Sequence, residues 1–259
     1  MKALGMMVVL VSFAAFAGPV SDLRQSVPQA DAKKRGPLAA GLKPTLLAMG
    51  EGVIPELIVE ASRPADPSWS ESAALAWRVS VLEALGTHKD ARARPVFQRQ
   101  LADTSAPFMV QRAAAEGLAK LGDADVLIAQ LDRDAVVAGI GSARTHAVAR
   151  ALALELTKQP SPARAKLLVK ALGEVGNAWA WATLPVRTEE LATRNEAAKS
   201  LVAAYVKFDG EVRNAAATQL LIVDSPSTAA FIAQARAGGL AVPELDALSQ
   251  RVASKPLGR

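Results

Sequence analysis

The residue types that most often perform chemistry in proteins are sparse and scattered in this chain. The sequence has two histidines, His88 and His146, far apart, and no cysteine. A zinc site or a His-based catalytic triad needs further ligands or partners at helical or loop spacing, and neither histidine has them. We therefore expect no metal site, no cofactor and no catalytic residue, and we predict that the protein is not an enzyme.

Two other groups of residues lack the spacing that their chemistry would require. Gly139-Ile140-Gly141-Ser142 begins like a phosphate-binding loop, but no predicted strand precedes it and it lacks both a third glycine and a Lys-Ser or Lys-Thr pair. We interpret it as a turn between helices. Glu189 and Glu190 open a predicted helix, where carboxylates stabilise the positive end of the dipole.

The chain contains a repeated segment with a helical pattern. An apolar residue followed by glycine recurs at a fixed 36-residue interval, in Met49-Gly50, Leu85-Gly86 and Leu121-Gly122. An interval of that length is typical of a solenoid, in which each unit buries its apolar face only by stacking on its neighbours. We expect each terminal glycine to supply the left-handed cap that turns the chain back.

The strongest helix of the pattern lies around residue 115. Starting at Val110, apolar residues recur at offsets 3, 4, 7, 8 and 11, which is one face of an α-helix. A second copy of this spacing starts at Val212. Alanine is abundant, only 4% of the residues are aromatic and β-branched runs are few, which favours close-packed helices over sheets.

The segment from Leu101 to Asp123 resembles a HEAT repeat, in particular the short alanine-rich type also found in phycobilisome lyases. Residues 209–217 are similar to its middle, and with weaker copies the resemblance covers roughly 36–253. It implies an all-α, right-handed α-solenoid of about five or six stacked antiparallel helix pairs. The second helices would line the concave face, at about 37–49, 71–86, 106–121, 162–175 and 211–223.

The resemblance also implies a structural role for the arginines. In HEAT repeats the corresponding arginine pairs with an inter-helix aspartate, which would join Arg112 to Asp103 and Arg213 to Asp209. The alternative is a concave basic stripe that binds an acidic partner or an anionic polysaccharide.

The register is uneven beyond Leu121. The next candidate helix ends, Val175 and Val223, follow after 54 and 48 residues. We expect an extended loop over 134–142 and a short extra helix or turn over 177–185. Trp179 and Trp181 cannot both be buried in one interface, because two residues on a helix rotate the side chain by about 200°.

The N-terminus is typical of a secretory signal peptide. Lys2 precedes an apolar run that ends at the small-x-small sequence Ala15-Phe16-Ala17. We predict cleavage after Ala17 in a bacterial protein, with residues 1–17 as the signal peptide, 18–35 as a flexible leader and 36–259 as the solenoid. The location would be periplasmic or secreted, with no membrane span left after processing.

These expectations favour a binding role. The net charge of +5 is too small and too spread to indicate nucleic acid as a partner. We predict an exported, non-catalytic protein-binding or scaffold module that uses the concave face; the alternative is a binder of anionic envelope polysaccharide or lipid headgroups through the arginine stripe. The predicted protein-binding residues are Gln111, Arg112, Glu116, Arg213 and Asn214.

Overall fold

The computed structural model describes residues 18–32, 38–239 and 242–254. The predicted signal peptide therefore lies outside the described residues. The helices, in chain order, are α1 (Pro19–Ala32), α2 (Leu38–Ala48), α3 (Ile54–Ser62), α4 (Glu71–His88), α5 (Arg94–Ala102), α6 (Phe108–Lys120), α7 (Ala124–Ile128), α8 (Asp134–Ile140), α9 (His146–Thr157), α10 (Pro162–Val175), α11 (Ala178–Ala182), α12 (Glu190–Lys207), α13 (Gly210–Val223), α14 (Thr228–Ala237) and α15 (Val242–Ala253).

The described helices stack as pairs, which confirms the all-α, HEAT-like solenoid. Consecutive helices pack on each other as α1 with α2, α3 with α4, α5 with α6, α7 with α8, α9 with α10, α12 with α13 and α14 with α15. The described part of the chain contains no strand. None of its helices is both long and apolar enough to cross a bilayer.

The pairs form two layers. We call α2, α4, α6, α8, α10, α13 and α15 the second-helix layer, and α1, α3, α5, α7, α9, α12 and α14 the first-helix layer. Between α3 and α8 the second helices pack extensively on one another, whereas the first helices barely touch. Closer spacing on one layer bends a stack towards it, so the second helices lie on the inner side of this part of the solenoid.

Two segments differ from expectation. Residues 18–32 are not a flexible leader, because α1 buries Val20 and Val27 completely and Arg24 pairs with the carboxylate of Glu60.

Residues 134–142 are not an extended loop either. They form α8 and a 3₁₀ turn, Gly141–Ala143, with Val136, Val137 and Ile140 in the core. The tight glycine spacing hides this short second helix of the fourth pair, and the array therefore holds one more internal pair than the register suggested.

Helix ends follow local sequence. Ser70, Thr145 and Ser161 cap α4, α9 and α10, each accepting a hydrogen bond from an amide in the first turn. Gly50 and Gly122 have the positive φ that glycine adopts readily, at 77° and 87°, although the ψ of −170° at Gly50 is not that of a left-handed cap.

Gly86 does not end its helix as expected. The helix α4 continues to His88, and Lys89 takes the left-handed position with φ of 54°. Gly86 is buried inside α4 instead. Its role is therefore packing, not turning.

Several single carboxylates pair with two cations each, some across repeats and some within one helix pair. Glu60 lies between Arg24 and Arg63, and Glu190 pairs with both Arg187 and Arg194. Glu83 and Glu155 are shared in the same way, the first by Lys43 and Arg112 and the second by Lys158 and Arg164.

Candidate functional site on the second-helix layer

Glycine allows the second helices to approach closely. A Cβ atom built on Gly86 of α4 would lie 3.2 Å from the Cα of Gly117 on α6. At Gly139 of α8 it would lie 2.7 Å from the carbonyl oxygen of Arg112 and 2.8 Å from the amide nitrogen of Glu116. Backbone atoms cannot move aside, so α8 reaches α6 only without a side chain there. Three groups of polar residues lie on the surface of this layer.

The first polar group of this surface joins three helices. The Nζ of Lys43 on α2 lies 3.3 Å from Oε2 of Glu83 on α4, and the Nη2 of Arg112 on α6 donates to Oε1 of the same carboxylate at 3.3 Å. The side chains of Lys43 and Arg112 each keep about a third of their surface exposed. The buried Nε of Arg112 has no hydrogen-bond partner among the described atoms.

The second polar group lies at the centre of the layer. Lys120 and Glu116 of α6 form an ion pair at 2.7 Å, and Ser142 donates from its hydroxyl to Oε1 of Glu174 on α10 at 2.8 Å. Burial raises the pKa of Glu174, and the nearby carboxylate of Glu116 raises it further, against the opposing effects of the serine hydrogen bond, Arg144 and Lys120. The proton affinity of this carboxyl is thus linked to the charge of the surrounding surface.

The third polar group lies on α10 and α13. The Nζ of Lys166 lies 2.5 Å from Oε2 of Glu211, and this hydrogen bond lowers the pKa of Glu211. Arg213 is tied into the fold. Its Nε donates to two carbonyl oxygens at the end of α12, its guanidinium lies 5.7 Å from the ring centre of Tyr205, and its Nη1 lies 3.6 Å from Glu244.

The five predicted docking residues fall into two separate groups. Gln111, Arg112 and Glu116 lie on α6, whereas Arg213 and Asn214 lie on α13, with α8 and α10 between them. Asn214 is exposed, and the other four are half-buried. Their role in binding stays a prediction.

Gln111 holds the fold together locally. Its Nε2 donates to the carbonyl oxygen of Ala106 at 2.7 Å, and its Oε1 accepts from Arg133 at 2.8 Å. Arg133 also donates to the carbonyl oxygen of Leu101. Gln111 thereby connects the turn before α6 to the turn before α8.

The expected pairing of arginines with turn aspartates is wrong. Asp103 accepts hydrogen bonds from the amide and hydroxyl of Ser105, which leaves Arg112 to pair with Glu83 of the preceding repeat. Asp209 makes no side-chain cap, and Arg213 binds carbonyl oxygens instead. Arg112 therefore bonds to the preceding repeat, whereas Arg213 binds carbonyl oxygens at the end of α12 and in the turn before its own helix.

Several polar residues of the surface were missed from the sequence, namely Lys43, Glu83, Lys120, Arg144 and Glu174. The pair formed by Glu116 and Lys120 has the readable i, i+4 spacing of a helix. The others meet across helices, at distances that no spacing along the chain reveals.

The histidines take no part in this surface. The Nε2 of His88 is buried and has no hydrogen-bond partner in the described part of the chain, and His146 donates only its backbone amide, to Glu189. No group of three or more potential metal ligands occurs among the residues that the structure describes.

The two neighbouring tryptophans have opposite environments, as their spacing requires. Trp181 is buried and donates from its indole nitrogen to the carbonyl oxygen of Val175 at 2.8 Å, whereas Trp179 is 77% exposed. Trp69 packs edge-on against the buried Trp77, with ring centres 6.2 Å apart. Trp69 therefore serves as a staple between α1 and α4, with Arg24 over its other face.

Comparison with known proteins adds little beyond the fold. No protein-family model and no curated protein sequence matches the chain. A solved structure of human deoxyhypusine hydroxylase in complex with glycerol is similar at 18% identity, covering 91% of this chain and 96% of that one, with a TM-score of 0.32.

The expectation that the protein is not an enzyme is corrected by this comparison. The similar structure is that of a hydroxylase, which is a different kind of protein from the one expected. At a TM-score of 0.32 the likeness transfers neither a reaction nor a site to this chain.

Proposed function

We propose that the protein is an exported binding module that docks a protein partner on the second-helix layer. One observation carries the proposal: charged side chains of both signs are already paired on this layer, by ion pairs that join α2 to α4, α4 to α6 and α10 to α13 and by one pair within α6. Side chains that are ordered before binding lose little conformational entropy when a partner arrives, which favours affinity.

The docking surface includes the predicted residues on α6 and α13. Arg112 and Glu116 are partly exposed next to opposite charges, and Asn214 is exposed on α13. Gln111 and Arg213 act as supports, because their polar atoms bind the chain itself. A protein with charges of both signs is the partner that this pattern fits.

A basic stripe for anionic polysaccharide or lipid headgroups has less support. Such a stripe needs arginines without nearby acids, whereas Arg112, Arg194 and Arg213 each lie beside a glutamate. The protein-binding function is therefore the one we propose.

The repeats are proposed to be of the short alanine-rich type found in phycobilisome lyases. Ala113, Ala114 and Ala115 are all buried on α6, and small side chains at these positions allow the close packing of the second helices. This likeness concerns the repeat alone.

Export to the periplasm or the exterior, with cleavage after Ala17, is supported by the sequence of residues 1–17, in which Lys2 precedes an apolar run that ends in Ala15-Phe16-Ala17. Sequencing the N-terminus of the native protein tests this cleavage.

A charge swap tests the docking surface. Arg112→Glu alone breaks the pair with Glu83, whereas Glu83→Arg combined with Arg112→Glu and Lys43→Glu keeps both ion pairs of this group and reverses the pattern that a partner meets. Each variant is used to capture proteins from envelope extract, with Lys89→Glu, an exposed change outside the layer, as the matched control.

We expect the wild type and the Lys89 variant to retain the same protein, and the swap to lose it with an unchanged melting temperature. If the swapped protein captures the partner as well as the wild type does, this face is not the docking surface. A loss of both capture and stability in the swap would make the pair structural.

A further inference from the structure

A second surface lies on the opposite, first-helix layer, in the groove between α9 and α12. The groove has a volume of about 720 Å³. Its walls are mostly small and apolar, with Ala147, Ala151 and Leu154 on α9 and Ala203 on α12. Leu154 is 60% exposed, although leucine is normally buried in a helical repeat. The alanines keep the two helices from filling the space between them.

The rim of this groove is basic and unpaired. Arg150, Lys199 and Lys207 line it together with one acid, Glu196. No carboxylate of the described residues lies within ion-pair distance of these three cations, whereas most other arginines of the described chain are bonded to an acid or a carbonyl oxygen. Lys207 donates to the carbonyl oxygen of Leu156 at 3.5 Å, and its Nζ lies 5.7 Å from the ring centre of Phe208, so neither of its contacts is to a carboxylate. The rim therefore has positive charge available to a ligand.

The dimensions of the groove fit a helix. The lining residues of α9 extend from Ala147 to Thr157, which at about 1.5 Å per residue is roughly 15 Å, or about three helical turns. An amphipathic helix binds such a groove by inserting apolar residues at i, i+3, i+4 and i+7 and placing its polar flanks at the rim. Acidic flanks would meet Arg150, Lys199 and Lys207, none of which pairs with a carboxylate of the described residues.

We propose that the groove between α9 and α12 binds an amphipathic helix of another protein that carries acidic residues beside its apolar face. The chain's own terminal segments do not fit this description, because Lys2, Lys255 and Arg259 would bring further positive charge to the rim. This site is separate from the second-helix layer, so its proposal does not depend on that function.

The test uses a designed peptide as the probe. A fluorescein-labelled 14-residue peptide has leucine at helical spacing and glutamate on both flanks, and a second peptide has lysine in place of every glutamate. Fluorescence polarisation with the full chain should show saturable binding of the acidic peptide and none of the basic peptide. Binding should weaken several-fold as salt rises from about 50 to 500 mM, because the rim charges are exposed and screened.

Variants of the groove assign the site. Lys199→Glu with Lys207→Glu should weaken acidic-peptide binding at least tenfold, and Ala203→Tyr should do so without a change of charge by filling the open groove. Lys170→Glu, an exposed change on the second-helix layer, is the control and should bind as the wild type does. Unchanged helicity and melting of each variant exclude unfolding as the cause.

Three results would overturn the proposal. The first is absence of saturable binding of the acidic peptide to the wild-type chain. The second is equal binding of both peptides, or binding that ignores the groove variants. The third is a concentration-dependent dimer of the chain that Ala203→Tyr abolishes, since a second copy would then be the occupant.

Discussion

Replacing Glu60 by glutamine should release α1 from the rest of the fold. The carboxylate has a side chain that is only 4% exposed, and it accepts a hydrogen bond from Arg24 at 2.6 Å and from Arg63 at 2.9 Å. Arg24 is itself 11% exposed, so the neutral amide leaves a buried cation without its counter-charge.

The magnitude follows from the two environments. Removing one member of a buried pair costs about 3–5 kcal/mol. Arg24 keeps a hydrogen bond to the carbonyl oxygen of Pro64 at 3.0 Å and lies 5.0 Å from the ring centre of Trp69. These remaining contacts reduce the expected cost to just below that range, about 2–3 kcal/mol. Arg63 is 53% exposed, so Arg63→Ala should cost less than about 1 kcal/mol.

Chemical denaturation measures the difference in the free energy of unfolding, and hydrogen exchange locates it. A cost of 2–3 kcal/mol corresponds to a loss of roughly 5–10 °C in melting temperature for a chain of this size. In Glu60→Gln, exchange should become faster for the amides of α1 and stay slow in α6. Replacing both Arg24 and Glu60 by methionine should restore most of the lost stability, because no unpaired charge remains.

Equal effects of Glu60→Gln and Arg63→Ala would refute this reasoning, since burial would then not decide the cost. Unprotected α1 amides in the wild type would refute it more directly. In that case residues 19–32 would not be held by the repeat that follows them.

Three further predictions concern other parts of the fold. Gly139→Ala should destabilise the protein by about 1–3 kcal/mol, because the added Cβ would meet the backbone of α6. The control Gly52→Ala places its Cβ where no atom lies within 4 Å and should melt like the wild type. Equal melting temperatures of the two variants would contradict the close approach of α8 to α6. Glu174→Gln should stabilise the protein near neutral pH, because burial raises the pKa of Glu174 and penalises its ionised form. This gain in the free energy of unfolding should disappear as the pH falls towards the ordinary carboxyl pKa of 4.5. A gain that does not depend on pH would exclude ionisation as its cause. Trp179→Ser should leave the melting temperature within about 1 °C of the wild-type value, because the ring is exposed. Trp181→Ala should lower the melting temperature by several degrees, because that ring is buried. The reverse order in a thermal melt would contradict the placement of the two rings.

The sequence predicts the fold better than it predicts the surface. The apolar spacing from Val110 predicts α6, and its copy from Val212 predicts α13, because helical burial leaves a regular pattern in the chain. Short α8 was missed, since seven residues give too few turns for a pattern and its glycine resembles a loop signal. The glycine there is required by the backbone of another helix, which is distant in sequence.

The polar contacts were harder to predict for the same reason. Glu83 and Arg112 are 29 residues apart, and their meeting depends on how closely α4 and α6 pack. The resemblance to HEAT repeats led to Asp103 as the partner of Arg112, but Ser105 occupies that carboxylate locally. Short-range competition for a hydrogen bond therefore redirected the arginine to the neighbouring repeat.

The carboxylates shared between two cations change what the basic isoelectric point of the chain means. The ranges described by the structure contain 24 of the 30 lysines and arginines but all 25 aspartates and glutamates, so the helix pairs are close to electroneutral. The net charge of +5 is contributed by Lys2, the triplet 33–35, Lys255 and Arg259. In a chain cut after Ala17, long-range attraction of an acidic body would thus originate in the triplet 33–35 and in Lys255 and Arg259. The proposed docking contacts of the helix pairs would act only at contact distance, through local patches of opposite sign.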